Sequence, residues 1–317
     1  MSNFNEMFTG TTPVKNERTK EDIDAFVAES KENRQKCYQM ADEMALKIAD
    51  DPAYFKQYLD MQGTFPRYSV NNVLLLAEQM PAATKVGELR YWREQNVYIK
   101  NQEFNKPLLI LEPGDEYRRE DGSVGTYYNA KKVYDISQTK NGRHKESGTL
   151  YDINTLCMAL ASNSPAQFKS LPAEQMPEGY AVMYDPNSDK IYMRNELDDG
   201  NKVFQLTSME MAHAIMAQDN PSYDRNECHL YAYAASYLLC KQYGVPTDGY
   251  EIDVTPQSSS KEPQDIKKEL MNIKAVAVEI SNRMEPALEK SKAPKRKIIR
   301  KISGSVYERS NIHLKIG

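Results

Sequence analysis

The sequence is poor in the residues and runs that mark disulfide, metal and membrane frameworks. Its four cysteines include no CxxC pair, so neither a cysteine zinc site nor a disulfide framework is predicted. It has no run of about 18 apolar residues, and no membrane-spanning helix is therefore predicted. The first residues lack the basic and then apolar order of a secretory signal. We expect a cytoplasmic protein with reduced thiols and no membrane partner.

Charge is distributed unevenly along the 317 residues. The formal net charge is −4, but residues 146–260 carry −10, whereas residues 51–145 carry +2 and residues 261–317 carry +7. Regions of opposite charge are expected to meet different partners. The hydrophobic content of 40% is enough for a sizeable core, and the length favours two domains of ordinary size.

Apolar periodicity and turn residues predict an α+β protein whose first domain mixes helices and strands. Thr19 is the predicted N-cap of a long helix that extends to Ile48, and a second helix is predicted at 70–79, before Pro81. Runs of β-branched and aromatic residues predict strands at 96–100, 108–111 and 132–136.

A polar stretch at 140–148 is the predicted linker to the second domain. That domain is expected to contain a hairpin within 180–193 and two helices, the second at 227–243, ended by Gly244 and Pro246. A further helix is predicted at 263–288.

A basic run follows this last helix and contains no acidic residue. Such a run favours phosphate backbones, and the alternative is a solvated tail that keeps the protein soluble. Its cations are Lys290, Lys292, Lys295, Arg296, Lys297, Arg300 and Lys301.

The segment 209–213, Met-Glu-Met-Ala-His, resembles the helix of a zinc peptidase with its first histidine replaced. Zinc peptidases use His-Glu-x-x-His because two imidazoles at i and i+4 lie on one helix face and bind one metal ion. The glutamate between them deprotonates the bound water. Here Met209 stands in the first ligand position, and a thioether suits Zn²⁺ poorly. Glu210 would be the general base of an active enzyme, and His213 the remaining ligand.

Three separated segments carry a family resemblance. They are 67–72 (Arg-Tyr-Ser-Val-Asn-Asn), 79–84 (Gln-Met-Pro-Ala-Ala-Thr) and 134–139 (Tyr-Asp-Ile-Ser-Gln-Thr). In this order they are similar to motifs in the N-terminal domain of the ArdC-like antirestriction proteins. The resemblance implies a single-stranded-DNA-binding domain joined to a zincin-like metallopeptidase domain, encoded on a plasmid, phage or conjugative element.

Three regions follow from this resemblance and the composition. An ArdC-like single-stranded-DNA-binding domain is expected at 18–140, a degenerate zincin-like domain at 146–256, and a helix with a basic tail at 261–317. Aligning 237–244 with the family places Tyr233 where a glutamate supplies the third zinc ligand. With Met209 and Tyr233 in two of three ligand positions, we expect a pseudoenzyme without a cofactor.

Two alternatives remain open for this helix. In the first, His213 satisfies a hydrogen bond in the core of an amphipathic helix. In the second, His229 restores a Zn²⁺ site together with His213, because it lies four residues before Tyr233 on the same helix face.

Aromatic and basic residues alternate in the first domain, as single-stranded DNA requires: bases stack on rings while cations follow the phosphates. The pattern includes 117–119 (Tyr-Arg-Arg) and 127–132, which begins with two tyrosines and ends with two lysines. The alternative is that most rings fill the core, and that Asn71 and Asn72 cap the following helix. The predicted DNA-binding residues are Arg67, Tyr68, Asn71, Asn72, Arg90, Trp92, Arg93, Lys100, Lys131 and Lys132.

Three functional classes result. The leading one is a non-catalytic single-stranded-DNA-binding accessory or antirestriction protein of a mobile genetic element. The second is an active zinc metallopeptidase with an atypical site. The third is a protein-interaction scaffold, in which the acidic second domain binds a basic host defence factor or a protein of the mobile element.

Overall fold

The structure is a computed structural model that describes residues 19–119, 121–140, 142, 151–218, 220–256 and 262–292. The predicted linker 140–148 is described only at residues 140 and 142. Five cations of the basic run, from Lys295 onward, lie outside the described residues, whereas Lys290 and Lys292 belong to the last helix.

The described elements alternate helices with two small sheets. The helices are α1 (Lys20–Asp50), α2 (Pro52–Thr64), α3 (Val70–Gln79), α4 (Leu89–Glu94), α5 (Ile153–Ser162), α6 (Gly200–Ala217), α7 (Arg225–Tyr243) and α8 (Pro263–Lys292). The strands are β1 (Val86–Gly87), β2 (Leu108–Arg118), β3 (Val124–Asp135), β4 (Gln167–Leu171), β5 (Val182–Asp185) and β6 (Lys190–Arg194). Short 3-10 turns occupy Asn101–Glu103, Ile136–Gln138 and Ala173–Gln175. The predicted α+β class is confirmed.

Local sequence chemistry accounts for the helix boundaries. Thr19 accepts a hydrogen bond from the N–H of Asp22 at 3.2 Å, and the Asp22 carboxylate accepts from the Thr19 N–H at 3.0 Å, which forms a capping box. Gly244 ends α7 with a left-handed φ of 71°, a conformation that glycine adopts without a steric penalty. The predicted helix at 70–79 is confirmed at both ends.

One predicted strand is wrong. In the segment 96–100, only Ile99 forms a β-bridge, with Thr139. Asn96 has a positive φ of 56° just after α4, and this left-handed turn interrupts an extended strand. The predicted strand 108–111 falls within β2, and the predicted strand 132–136 matches the end of β3 except for Ile136, which begins a 3-10 turn.

The two sheets each contain three strands. The first has the order β1-β3-β2 and is antiparallel, with Leu108 opposite Val133 at one end of the long hairpin and Arg118 opposite Val124 at the other. Its register shifts between Pro113 and Glu116. The second has the order β4-β6-β5, with β4 parallel to β6 and β5 antiparallel to it.

Two side-chain amides of α3 cover the outer edge of β2. Asn72 donates to the carbonyl of Leu111 at 2.8 Å and accepts from its N–H at 2.7 Å. Gln79 does the same with Leu109, at 2.9 and 2.8 Å. An unpaired strand edge needs partners, and here the amides take the place of a neighbouring strand. Asn72 therefore has a structural role, and its predicted contact with DNA stays a prediction.

The 134–139 segment closes the other end of this sheet. The Asp135 carboxylate accepts from the N–H groups of Thr84, Lys85 and Ser137 at 2.8, 3.0 and 2.8 Å. Gln138 accepts from the Asp135 N–H at 2.8 Å. Both side chains are buried, and buried polar groups require such partners. All three resemblance segments thus contribute groups that hold the first sheet.

A continuous buried cluster contains residues from all three predicted regions. Helix α2 packs on α7, where the Tyr237 hydroxyl donates to Asp60 at 2.6 Å. Helix α8 packs on α1, and Lys267 pairs with Asp42 at 2.5 Å. The predicted domain boundaries stay a prediction. Among the described helices, none combines the length and apolar content needed to cross a lipid bilayer.

Candidate functional site

Helix α6 carries Glu210 into the interior, where a cation already binds it. The Glu210 side chain is 0% exposed. Arg225, the first residue of α7, donates from both terminal nitrogens, at 2.9 Å to Oε2 and 2.5 Å to Oε1. The N–H of Tyr184 in β5 donates to Oε2 at 2.7 Å. A bidentate guanidinium and a backbone donor thus neutralise and hold the carboxylate that a peptidase would use as its base.

His213 lies one turn further along α6 and is fully buried. Its Nδ1 is 3.0 Å from the Tyr223 hydroxyl, while its Nε2 is buried without a hydrogen-bond partner among the described residues. Burial, with smaller contributions from the charges of Arg225 and His229, lowers the pKa of His213 to about 3. The imidazole is therefore neutral at physiological pH.

His213 and His229 lie close together, with ring centroids 5.8 Å apart and ring planes inclined by 18°. A catalytic zinc site uses three protein ligands besides the reacting water, and these two imidazoles supply at most two of them. By itself, the pair does not complete a zinc site.

The remaining ligand positions also fail to fit zinc. The Tyr233 hydroxyl accepts from the Glu251 N–H at 2.8 Å, and its ring lies 4.9 Å from that of Tyr250. Met209 packs against the core. Within the described ranges, no group of three His, Cys, Asp or Glu side chains is placed to hold a metal ion. With Glu210 bound by Arg225, this donor set does not match a hydrolytic zinc centre.

The depressed pKa of His213 predicts a stability that depends on pH. The unfolded histidine, with a pKa of about 6.5, binds a proton that the folded protein rejects until about pH 3. The contribution of His213 to the free energy of unfolding is therefore fully present above pH 6.5 and decreases as the pH falls toward 3. We expect a loss of about 2 kcal/mol from this group between pH 7 and pH 5. Urea unfolding at several pH values measures it, and a His213→Gln variant that keeps the same slope would contradict it.

Trp92, a predicted DNA-stacking residue, is instead part of the interior. It is 2% exposed, and its indole N–H donates to the carbonyl of Tyr134 at 2.9 Å. It packs in a small cluster with Ile99 and Ile136. A nucleotide base cannot reach a ring that the surrounding protein covers almost completely, so the predicted contact of Trp92 with DNA is corrected.

Most of the predicted cations have protein partners. Lys131 pairs with both Glu88 and Glu112, at 2.6 and 2.7 Å. The other three contacts are Arg90 with Glu94, Lys132 with Glu29, and Lys100 with the carbonyl of Ser137. Surface pairs of this kind are weak and can exchange for phosphate, but together they reduce the positive potential of the region.

Three further predicted residues lie before α3, in α3 and in α4. Arg67 is exposed beside a cavity that Lys274 of α8 also lines, and Lys274 donates to the carbonyl of Tyr68. Arg93 is exposed on α4, and Asn71 is half-buried at the start of α3. The structure therefore does not gather the ten predicted residues into a single interface.

A row of aromatic and basic side chains lies on the far half of the β2–β3 hairpin. The rings of Tyr117 and Tyr127 lie 4.3 Å apart, and the guanidinium of Arg119 lies 5.9 Å from the Tyr117 ring. Gly125 allows this arrangement, because a Cβ there would come within 2.4 Å of the Tyr117 ring. Tyr127 is 52% exposed. One face of the hairpin thus presents a row of arginine, tyrosine and tyrosine.

Two more exposed tyrosines lie nearby, Tyr128 on the opposite face of β3 and Tyr38 on α1. Tyr128 lies on the same face of β3 as Lys132, which forms an ion pair with Glu29 of α1. Tyr38 of α1 is also exposed, and burial, opposed by Arg34, raises its pKa, with Tyr128 and Tyr117 adding to the rise. Sequence patterning identified the hairpin rings, whereas Tyr38 lies nearly 80 positions away and no local pattern connects it to them. We name the six residues Tyr38, Tyr117, Arg118, Arg119, Tyr127 and Tyr128 the hairpin surface.

No protein-family model and no curated protein sequence matches this chain. Among solved structures, the metal-free crystal structure of the antirestriction protein ArdC from plasmid R388 is similar, with a TM-score of 0.42 and 18% sequence identity. The similarity covers 71% of this chain and 85% of that chain. At this distance the comparison assigns neither residues nor activity.

Proposed function

We propose that this chain is a cytoplasmic, non-catalytic protein that binds single-stranded DNA through its hairpin surface. The observation that carries the proposal is the row of Arg119, Tyr117 and Tyr127, in which Arg119 and Tyr127 are exposed and Tyr117 is half-buried. Successive bases of a single strand stack on aromatic rings, and arginine adds both a cation and a flat stacking surface. Duplex DNA keeps its bases stacked on one another and offers such rings little.

Acidic neighbours shape the expected mode of binding. Asp115 and Glu116 are exposed on the same hairpin, so the hairpin surface is not strongly basic. Affinity should rest on stacking more than on phosphate neutralisation, and it should fall only moderately with salt. Stacking is available on every base, so little sequence preference is expected.

The wider role follows from the three resemblance segments. It is that of an accessory or antirestriction protein of a mobile genetic element, which protects entering single strands or blocks a host defence. Arg225 donates to Glu210, and the Tyr223 hydroxyl contacts His213. These contacts support a structural role for Glu210 and His213 in the second region. We propose that no zinc-dependent hydrolysis occurs there.

Tyr127→Ala tests the proposal. Loss of one stacked base is expected to weaken binding of a labelled oligothymidine by about 1–3 kcal/mol, or about 5- to 150-fold, in fluorescence anisotropy. Tyr127→Phe keeps the ring and should keep the affinity. The matched control is Tyr98→Ala, which removes a tyrosine of similar exposure, 55%, outside the hairpin.

Three results would count against the hairpin surface. They are equal losses for Tyr98→Ala and Tyr127→Ala, stronger binding of duplex than of single strands, and no binding at low salt. Circular dichroism of each variant establishes that the fold is intact.

A further inference from the structure

A cavity of about 780 Å³ lies between the first half of α7 and the segment 251–255. The α7 wall contributes the rings of His229, Tyr231 and Tyr233. Tyr233 also fixes the opposite wall, because its hydroxyl accepts from the N–H of Glu251. None of the residues of the hairpin surface lines this groove.

Three carboxylates line the groove without a cation. Glu227 comes from α7, and Glu251 and Asp253 come from the facing segment. No lysine or arginine is among the described lining residues, and none of the three carboxylates forms an ion pair within the described ranges. Residues 146–260 as a whole carry a net charge of −10. The groove is therefore suited to a positively charged occupant.

The facing wall also offers backbone hydrogen-bonding groups. Residues 252–255 are outside regular secondary structure, and no backbone hydrogen bond joins them to another described residue. An extended peptide can lie along such a segment and pair with its N–H and C=O groups. Val254, which is exposed, adds an apolar contact beside Asp253.

We propose that this groove binds an extended, lysine- or arginine-rich segment of a partner protein. Its cations pair with Glu227, Glu251 and Asp253, and its side chains contact the tyrosine rings of α7, whose faces attract cations. Nucleic acid is excluded as the occupant because the carboxylates repel phosphate. The groove and the hairpin surface are separate, so each stands without the other.

The probe is a short labelled peptide of alternating arginine and valine, titrated with the full chain in fluorescence anisotropy. The variant Glu227→Gln, Glu251→Gln and Asp253→Asn is expected to lose about tenfold or more in affinity. The control variant Glu174→Gln, Glu178→Gln and Asp198→Asn removes the same charge from exposed positions outside the groove and should bind as the wild type does. A peptide with glutamate in place of arginine should not bind.

Two outcomes would overturn the proposal. If both triple variants lose affinity equally, the peptide responds to net charge alone. If full-length chains with Lys295, Arg296 and Lys297 changed to glutamine bind the peptide much more tightly, the chain's own tail is the occupant and a separate partner is not. Oligothymidine binding by the groove variant should stay unchanged, so that failure here and failure of the hairpin surface are distinguishable.

Discussion

Arg225→Ala is expected to lower the free energy of unfolding by about 3–5 kcal/mol. The substitution removes the guanidinium that donates twice to Glu210 and leaves a carboxylate with 0% exposure and only the N–H of Tyr184 as a donor. A buried charge without its partner is strongly destabilising, whereas the intact pair contributes little net stability. Urea denaturation followed by circular dichroism measures the change.

A double variant separates the destabilisation caused by an unpaired Glu210 carboxylate from the net stability that the Arg225–Glu210 ion pair contributes. Arg225→Met with Glu210→Gln removes both charges, keeps an acceptor for the Tyr184 N–H, and fills the space of the guanidinium stem. It should recover most of the stability lost in Arg225→Ala. A double variant as unstable as the single one would contradict the role of an unpaired carboxylate.

Metal analysis of the same proteins extends this test. If the guanidinium merely blocks a functional zinc site, Arg225→Ala would bind stoichiometric Zn²⁺, lose it on His213→Ala, and regain stability with the metal. We expect no such rescue, because Met209 and Tyr233 supply no imidazole or carboxylate and His213 and His229 alone do not complete a hydrolytic zinc site.

Trp92→Ala is also expected to lower the free energy of unfolding by about 3–5 kcal/mol. The indole fills a small cluster with Ile99, Tyr134 and Ile136, apart from the main core, and few neighbours can move into the space. Trp92 is the single tryptophan, so the variant must be followed by circular dichroism instead of intrinsic fluorescence.

The milder Trp92→Phe variant decides between a structural and a DNA-binding role. It keeps an aromatic ring but loses the hydrogen bond to the Tyr134 carbonyl, and should cost about 1–3 kcal/mol. Its affinity for oligothymidine, per folded molecule, should match the wild type. In the unmodified protein, tryptophan emission should resist acrylamide quenching equally with and without DNA. Loss of DNA affinity at unchanged stability would return Trp92 to the interface.

Local chemistry predicted several elements well. The helix at 70–79 and the end of α7 at Gly244 were predicted because their determinants lie within a few residues: Ser69 caps one helix, and glycine allows a left-handed turn after the other. The strand predicted at 96–100 was wrong because a run of β-branched and aromatic residues does not reveal the left-handed turn at Asn96.

The roles of polar motif residues could not be predicted in the same way. Asn72 and Gln79 bind a strand that lies more than 25 positions later, and Asp135 binds a loop about 50 positions earlier. A sequence shows that an amide is present, but its partner depends on which elements pack together. The burial of Trp92, beside exposed Arg93, has the same origin.

The sequence by itself determined the α+β class, the charge division between regions, and the loss of an imidazole at Met209. These properties depend on composition and on neighbours within one or two helical turns. Only the tertiary structure decided that Arg225 neutralises Glu210, because the first turn of α7 must pack against the middle of α6 to bring the two together. It also decided which tyrosines stay exposed, because burial is a property of the assembled fold and not of the residue.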